Sequence, residues 1–253
     1  MSRWLKALPL TLALAALSIF AASCNSSSPA QVRFVNAIQD TAQYGTALDI
    51  DFNGTKEFSD VGFLGYLPTS GYTSVPSGSD TIEGLETGTT TEVFSANVSL
   101  NPGSDSQYTM VATGFAINAS RVAIISATDN NTLPATGKVE FRAINASPSG
   151  PSGVDIYIVP VGSGGAITPP ATIANLAYRS VSSYVTLPYN SNSVDGANYT
   201  MFVTATGTTT PILITQALSA GTSSEGAIRT LVLTDQENID QLNPLAIVLN
   251  DLN

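Results

Sequence analysis

The 253-residue chain contains no histidine and only one cysteine, Cys24. Zinc sites built from imidazole and thiolate ligands, internal disulfides and catalytic triads with a histidine base are therefore excluded. Positive charge is scarce as well, with 9 Lys and Arg against 19 Asp and Glu, so no nucleic-acid partner is expected.

Charge of either sign is limited, since charged residues make up 11% of the chain and hydrophobic residues 43%. This composition excludes a charged disordered tail and a long coiled coil, and it is sufficient for a packed core. No stretch after the first 23 residues carries convincing helical periodicity.

The first 23 residues have the pattern of a secretory signal peptide. Arg3 and Lys6 precede an apolar run over residues 7–22, which is shorter than the ~20 residues that span a bilayer as a helix. Small residues then lead directly into Cys24, as in the lipobox of bacterial lipoproteins, which this segment resembles. The alternative is a plain secreted protein with an incidental thiol.

The lipobox resemblance implies that residues 1–23 are removed and that Cys24 receives a lipid anchor to the membrane. Several acyl chains bind a membrane far more strongly than one chain does. Residues 24–30 would then form a short tether, and Asn25 after the cysteine favours the outer membrane over the inner one.

The remaining chain aligns with itself as two copies, residues 31–131 and 138–253, joined by a linker over residues 132–137. The matching segments follow the same order in both copies: 33–37 with 142–146, 48–52 with 154–158, and 72–76 with 184–188.

Within each copy the apolar residues alternate with polar ones. Leu48, Ile50 and Phe52 are expected to face the core while Asp49 and Asp51 face outward. In the second copy, residues 154, 156 and 158 are expected to face inward and Asp155 and Tyr157 outward. Further predicted strands are 92–100, 108–113, 122–127, 199–206, 211–218 and 228–233.

Many short strands separated by turns predict an all-β fold with two tandem antiparallel β-sandwich domains of immunoglobulin-like architecture. The segments VRFVNA, LDIDFNG, GYTSVPSGS and FRAINASPSGPSGVDIYI resemble the bacterial envelope family known as domain of unknown function 4397. Asn36 and Asn145 stand where that family commonly has histidine.

The resemblance covers nearly all of residues 31–253 as two copies. It implies an immunoglobulin-like or prealbumin-like sandwich fold in a lipoprotein or secreted envelope protein and brings no established activity, so no catalytic residue is carried over. The residues that match the family pattern are interpreted as fold-defining, among them Arg33, Asp49 and Tyr72 with their counterparts in the second copy.

Asp49, Asp51, Asn53 and Asp60 have most of the spacing of a calcium-binding loop. The same stretch also reads as an alternating strand that ends in Asn-Gly, which is a strong hairpin signal. The second copy offers no equivalent ligands, so we predict a hairpin at residues 53–54 and no metal or other cofactor.

Asp49 and Asp51 would lie about 7 Å apart on one strand face, a separation compatible with an inverting glycosidase. The second copy has Tyr157 in place of the second acid, so no catalytic residue is predicted. Arg33 and Arg142 are equivalent in the repeat, and we expect acids or strand carbonyls to hold them. An anion site is the alternative.

The sequence therefore predicts a non-catalytic cell-envelope lipoprotein that displays two β-sandwich modules for binding, adhesion or scaffolding, with a glycan or a protein as ligand. One alternative is a periplasmic hydrolase that acts through carboxylates. Another is a subunit of an envelope assembly, in which an exposed strand edge pairs with a partner chain.

Overall fold

The computed structural model describes residues 28–39, 47–103, 106–117, 121–220, 226–235 and 244–252. The predicted signal peptide, Cys24 and most of the tether lie outside these ranges. Within them the chain forms β-strands and no α-helix. No helix of these residues is long and apolar enough to cross a membrane.

The first half of the chain contributes nine strands to the described structure. They are β1 (Ala30–Ile38), β2 (Leu48–Phe52), β3 (Thr55–Val61), β4 (Tyr66–Leu67), β5 (Thr73–Val75), β6 (Gly78–Glu86), β7 (Glu92–Leu100), β8 (Gln107–Gly114) and β9 (Ala123–Thr128).

The second half contributes eight strands. They are β10 (Lys138–Asn145), β11 (Gly153–Pro160), β12 (Ile173–Ala177), β13 (Val185–Pro188), β14 (Tyr199–Ala205), β15 (Pro211–Leu218), β16 (Ile228–Asp235) and β17 (Pro244–Asn250).

These strands form four sheets. The first sheet has the order β4-β1-β8-β9, with β5 also paired to β1, and the second has the order β3-β2-β6-β7. The third sheet, β13-β10-β16-β17, and the fourth, β12-β11-β14-β15, repeat these orders in the second half of the chain.

Each pair of sheets encloses a hydrophobic core, so the fold is all-β and sandwich-like. Phe34, Met110 and other side chains of the first sheet pack with Ile50, Ile82 and their neighbours in the second sheet. An equivalent cluster fills the space between the third and fourth sheets. Removal of these side chains from water is the main favourable term in folding.

A third cluster joins the two halves. The opposite faces of the first and third sheets contribute Val35, Val111, Ile144, Val232 and Leu249, all of them fully buried. The four sheets therefore stack as layers, with the first and third sheets in the middle.

The expectation of purely antiparallel sandwiches is wrong in the two middle sheets. Strand β1 pairs with β8 in parallel, and β10 pairs with β16 in parallel. This follows from the chain path, because the strands between each pair form most of the facing sheet before the chain returns in the original direction.

The inward half of the predicted alternation is confirmed, since Leu48, Ile50 and Phe52 are fully buried in the first core. Asp49, Asp155 and Tyr157 alternate with core residues as predicted, but they are covered instead of solvent-exposed, with exposed fractions of 2%, 7% and 5%. The two carboxylates tolerate burial because turn backbone N–H groups donate to them, as described below.

Gly84 on β6 lies opposite Phe94 on β7, and the Phe94 ring occupies the space beside the glycine. This packing predicts how a larger residue at position 84 changes stability. A Cβ atom at Gly84 would lie 2.1 Å from Phe94 Cε1, and the Phe94 ring is itself buried. We expect Gly84→Ala to lower the free energy of unfolding by about 1–3 kcal/mol through overpacking.

Gly62→Ala is the matched control, because a Cβ atom there meets no atom within 4 Å. Its effect is expected within about 0.5 kcal/mol. Urea unfolding followed by far-UV circular dichroism measures both variants, and equal midpoints for the two would contradict the packing argument.

Candidate functional site

Two buried arginines lie where the first and third sheets face each other. Arg33 on β1 donates from Nη2 to Asp251 Oδ1 at 2.6 Å and from Nη1 to the Asn250 carbonyl at 2.7 Å. Its Nη2 atom also lies 3.5 Å from Asp129 Oδ2. Its guanidinium is therefore held mainly by residues at the end of the chain's second half.

Arg142 on β10 makes the reciprocal arrangement. Its Nη2 donates to Asp129 Oδ1, and its Nη1 donates to the Thr128 carbonyl at 2.7 Å. Asp129 belongs to the first half, so each arginine is paired with an acid from the opposite half. Both acid side chains are fully buried, and the arginine side chains are 3% and 2% exposed.

Hydroxyl groups complete the coordination of the two acids. Asp129 Oδ2 accepts from Thr109 at 2.7 Å and from Tyr72 at 2.7 Å. Asp251 Oδ2 accepts from Thr230 at 2.6 Å and from Tyr184 at 2.9 Å.

The two tyrosine rings also contact the guanidiniums. Arg33 lies 5.3 Å from the Tyr72 ring centroid, and Arg142 lies 4.8 Å from that of Tyr184. Such cation–π contacts are stabilising, and more so in desolvated sites. The cluster of two arginines, two acids, two threonines and two tyrosines is called the interface network below.

The interface network raises the pKa values of four of its members. Burial alone would lower the pKa of Arg33, but the charges of Asp251 and Asp129 with Tyr72 raise it above its ordinary value. Burial, and then repulsion from Asp129, raises the pKa of Asp251 despite the two arginines. Burial is also the first cause of the raised pKa values of Tyr72 and Tyr184.

The expectation that acids and strand carbonyls hold Arg33 and Arg142 is confirmed by these contacts. The sequence analysis missed Asp129 and Asp251 as their partners. A signal existed, because each acid follows the last strand of its half, after β9 and after β17, at nearly the spacing of the other repeat matches.

Asn36, near the end of β1, and Asn145, at the end of β10, make equivalent hydrogen bonds. Each Nδ2 donates to a carbonyl 3.0 Å away, of Val61 and Leu176 respectively. Each Oδ1 accepts from the backbone N–H two residues further along the chain. Both side chains are buried and serve to position loops.

Both carboxylate oxygens of Asp49 accept hydrogen bonds. Lys56 Nζ lies 2.5 Å from Oδ2, and the backbone N–H groups of Asp60 and Gly88 donate at 3.0 and 3.3 Å. The hydrogen bond from Lys56 is the largest cause that lowers the pKa of Asp49 to about 2. In the second half, Asp155 accepts from the N–H groups of Asn175 and Gly207 at 2.7 and 2.8 Å.

The predicted hairpin at residues 53–54 is confirmed. Strands β2 and β3 are joined by Asn53 and Gly54, whose φ values of 51° and 77° fit the two-residue turn. The Asn53 side chain bonds to Asp80 and to the Thr81 N–H instead of pointing toward Asp49. Asp51 is half-buried and Asp60 is exposed.

The structure does not gather Asp49, Asp51, Asn53 and Asp60 into a metal site. Asp60 contributes its backbone N–H to Asp49, and the Asn53 side chain is engaged with Asp80 and Thr81. Within the described ranges, no three residues of the His, Cys, Asp and Glu types are placed to hold a metal ion. Cys24, the predicted lipidation site, lies outside these ranges.

The fold and these contacts define a layered all-β protein whose buried polar residues connect sheets and close turns. In a comparison with protein families, the model of the domain of unknown function DUF4397 matches residues 30–157. The chain belongs to this family.

Two other comparisons add little. The crystal structure of CBMbc (family CBM26) from Eubacterium rectale Amy13K in complex with maltoheptaose is 14% identical, with 86% of this chain and 96% of that chain covered. The TM-score is 0.26, which supports no conclusion about fold or ligand. Among curated proteins there is no match.

The interface network generates a prediction about coupling. Arg33→Met or Asp251→Asn leaves a buried charge without its partner, and each is expected to lower the free energy of unfolding by about 3–5 kcal/mol. The double variant removes both charges and is expected to cost clearly less than the sum of the two. Urea unfolding of all four proteins completes the cycle, with the exposed Glu92→Gln as control. Additive losses would mean that the pair is not coupled.

Asp49 generates a pH prediction. Its pKa is about 2 in the folded protein against a reference value of 3.8, so the unfolded chain binds the proton first as the pH falls. The stability that the ionised carboxylate contributes is complete above about pH 4 and is lost toward pH 2. The unfolding midpoint of Asp49→Asn is therefore expected to lie below that of the wild type at pH 6 and to approach it between pH 4 and pH 2. A gap that stays constant over that interval would contradict the assignment.

Proposed function

We propose that the protein is a non-catalytic lipoprotein of the bacterial cell envelope. In this proposal residues 1–23 are removed, a lipid on Cys24 anchors the protein to the outer membrane, and two β-sandwich modules present loops to a glycan or protein ligand. The observation that carries the proposal is the reciprocal pairing of Arg33 with Asp251 and of Arg142 with Asp129. Such pairing suits a rigid scaffold that holds loops in a fixed arrangement.

The proposal includes two tandem copies of the family's domain, residues 31–131 and 138–253 with a linker at 132–137, each an immunoglobulin-like or prealbumin-like sandwich. The repeated sheet order supports it. Equivalent residues also have equivalent partners. These are the Arg33 and Arg142 pairs, the buried asparagines near the ends of β1 and β10, and the two acids that accept turn N–H groups.

The environment of the acids supports a non-catalytic role. Asp49, the best candidate for a carboxylate-dependent hydrolase, is bound by donors and has a pKa of about 2, so it would not act as a general acid near neutral pH. Asp129 and Asp251 are fully buried and already accept several hydrogen bonds each, so a substrate does not reach them.

The sheet edges favour a second candidate function, a subunit of an envelope assembly. Strand β15 lies at the edge of the fourth sheet and carries no charged residue over Pro211–Leu218. An uncharged edge strand is open to pairing with a strand of another chain.

Fractionation and protease treatment of cells test the proposal. The C-terminally tagged full chain is expected in the membrane fraction, and Cys24→Ser is expected in the soluble fraction because the acyl chains provide the anchor. External protease applied to intact cells should remove the tag if the modules face outward, which would favour adhesion or glycan binding.

Protection of the tag until lysis would instead place the modules in the periplasm and favour the assembly subunit, which crosslinking followed by a pull-down would then identify. A Cys24→Ser protein that fractionates like the wild type would contradict the lipid anchor. Hydrolysis of a glycan substrate that is lost in Asp49→Asn would contradict the non-catalytic role.

A further inference from the structure

A surface cleft of about 220 Å³ lies at one end of the junction between the two halves. The first half contributes Phe115 and Arg121 to its lining, and the second half contributes Pro148, Tyr178 and Arg179. The cleft is separate from the interface network, and it contains two arginines of a chain that has only 9 basic residues.

Each arginine of the cleft lies over an aromatic ring. The Arg121 guanidinium is 4.8 Å from the Phe115 centroid, and that of Arg179 is 5.1 Å from the Tyr178 centroid. Arg179 Nη2 also donates to the Arg121 carbonyl at 2.8 Å, which brings the two residues together. Stacking on a ring orients a guanidinium while its edge donors stay available.

Neither arginine is neutralised by the part of the chain that the structure describes. The ion pairs found there involve Arg33, Arg142 and Lys56 and leave out Arg121 and Arg179. Because both arginines line one cleft and neither is paired with an acid in the described part of the chain, an anion in the cleft would be attracted by two positive charges.

The turn at Arg179 does not require a guanidinium. Arg179 has a φ of 65°, and its N–H donates to the Asn145 carbonyl at 2.8 Å. Leu64 occupies the equivalent turn of the first half, with a φ of 63° and an N–H that donates to the Asn36 carbonyl at 2.9 Å. An apolar side chain thus satisfies the same backbone geometry, so the Arg179 side chain is available for another role.

The ring beside Arg179 is fixed across the junction. The Tyr178 hydroxyl lies 3.4 Å from Thr113 Oγ1, which donates to the Ala146 carbonyl at 2.7 Å. Thr113 belongs to β8 and Ala146 follows β10, so residues of both halves hold this side of the cleft in place.

We propose that this cleft binds a small oxyanion: a carboxylate, sulfate or phosphate group carried on a ligand no larger than about one sugar ring at this point. Arg121 and Arg179 supply paired N–H donors, the arrangement that suits planar and tetrahedral oxyanions. The inference deepens the proposed binding function and rests on it for its biological meaning, whereas the binding itself is a property of the purified chain.

Isothermal titration of the full chain tests the inference, with glucuronate, sulfate and phosphate as probes at constant ionic strength. Glucose and chloride are the neutral and simple-anion controls. Saturable binding of at least one oxyanion is expected, with neither control binding comparably. Preference for glucuronate would indicate an acidic glycan, and preference for phosphate a phosphorylated headgroup or polymer.

Arg179→Leu, which installs the residue found at the equivalent turn, and Arg121→Gln are each expected to weaken binding about tenfold or more. Lys138→Gln removes one exposed positive charge elsewhere and is expected to leave binding unchanged. Arg179→Gly relieves the positive φ, so it should fold as well as the wild type by circular dichroism and still lose binding.

The inference is overturned if no oxyanion binds more strongly than chloride. It is also overturned if Lys138→Gln weakens binding as much as Arg179→Leu does, which would indicate general electrostatic attraction. Because the titration uses purified protein, its failure is distinct from a failure of the lipid anchor, which the cell fractionation measures.

Discussion

The arrangement of the molecule depends on the buried ion pairs that cross between its two halves. A buried guanidinium or carboxylate is costly unless an opposite charge and hydrogen bonds compensate it. The closest acid to Arg33 is Asp251, and the closest acid to Arg142 is Asp129. The closest partner of each arginine therefore comes from the other half. Separating the halves would break the closest ion pair of each arginine and leave Arg33 only the more distant Asp129. The apolar cluster around Val35, Ile144 and Leu249 adds area to this contact, while the charges fix its register.

Local sequence signals predicted the turns and strands whose conformation depends mainly on their own residues. The Asn53-Gly54 turn follows from the ease with which these residues adopt positive φ, and β7 and β15 match the predicted bounds at both ends. Strand β6 was not predicted, because its sequence GSDTIEGLE is rich in glycine and acids. It forms a strand because β2 and β7 pair with it on either side.

Parallel pairing and the burial of acids could not be predicted from alternation. The direction of β8 relative to β1 depends on the path of the chain through the other sheet, which no local pattern records. Asp49 and Asp155 alternate with apolar residues as outward-facing acids do, yet turn N–H groups that are distant in sequence make their burial favourable. The roles of Arg33 and Arg142 were predictable because basic residues are scarce and the two arginines occupy matching positions in the predicted repeat, which indicated that acids or carbonyls hold them.

The parallel pairing of β1 with β8 has a mechanical consequence. Strand β1 is the first strand of the described structure. Eight residues of β1 pair in register with β8, along the whole length of β8. A pull on its N-terminal end acts along the strand axis, so the evenly spaced hydrogen bonds to β8 are loaded together in shear instead of opening one after another. Antiparallel pairing of β1 with β4 and β5 on its other side adds bonds loaded in the same manner. The N-terminal strand of the described structure is therefore arranged to resist tension along its axis.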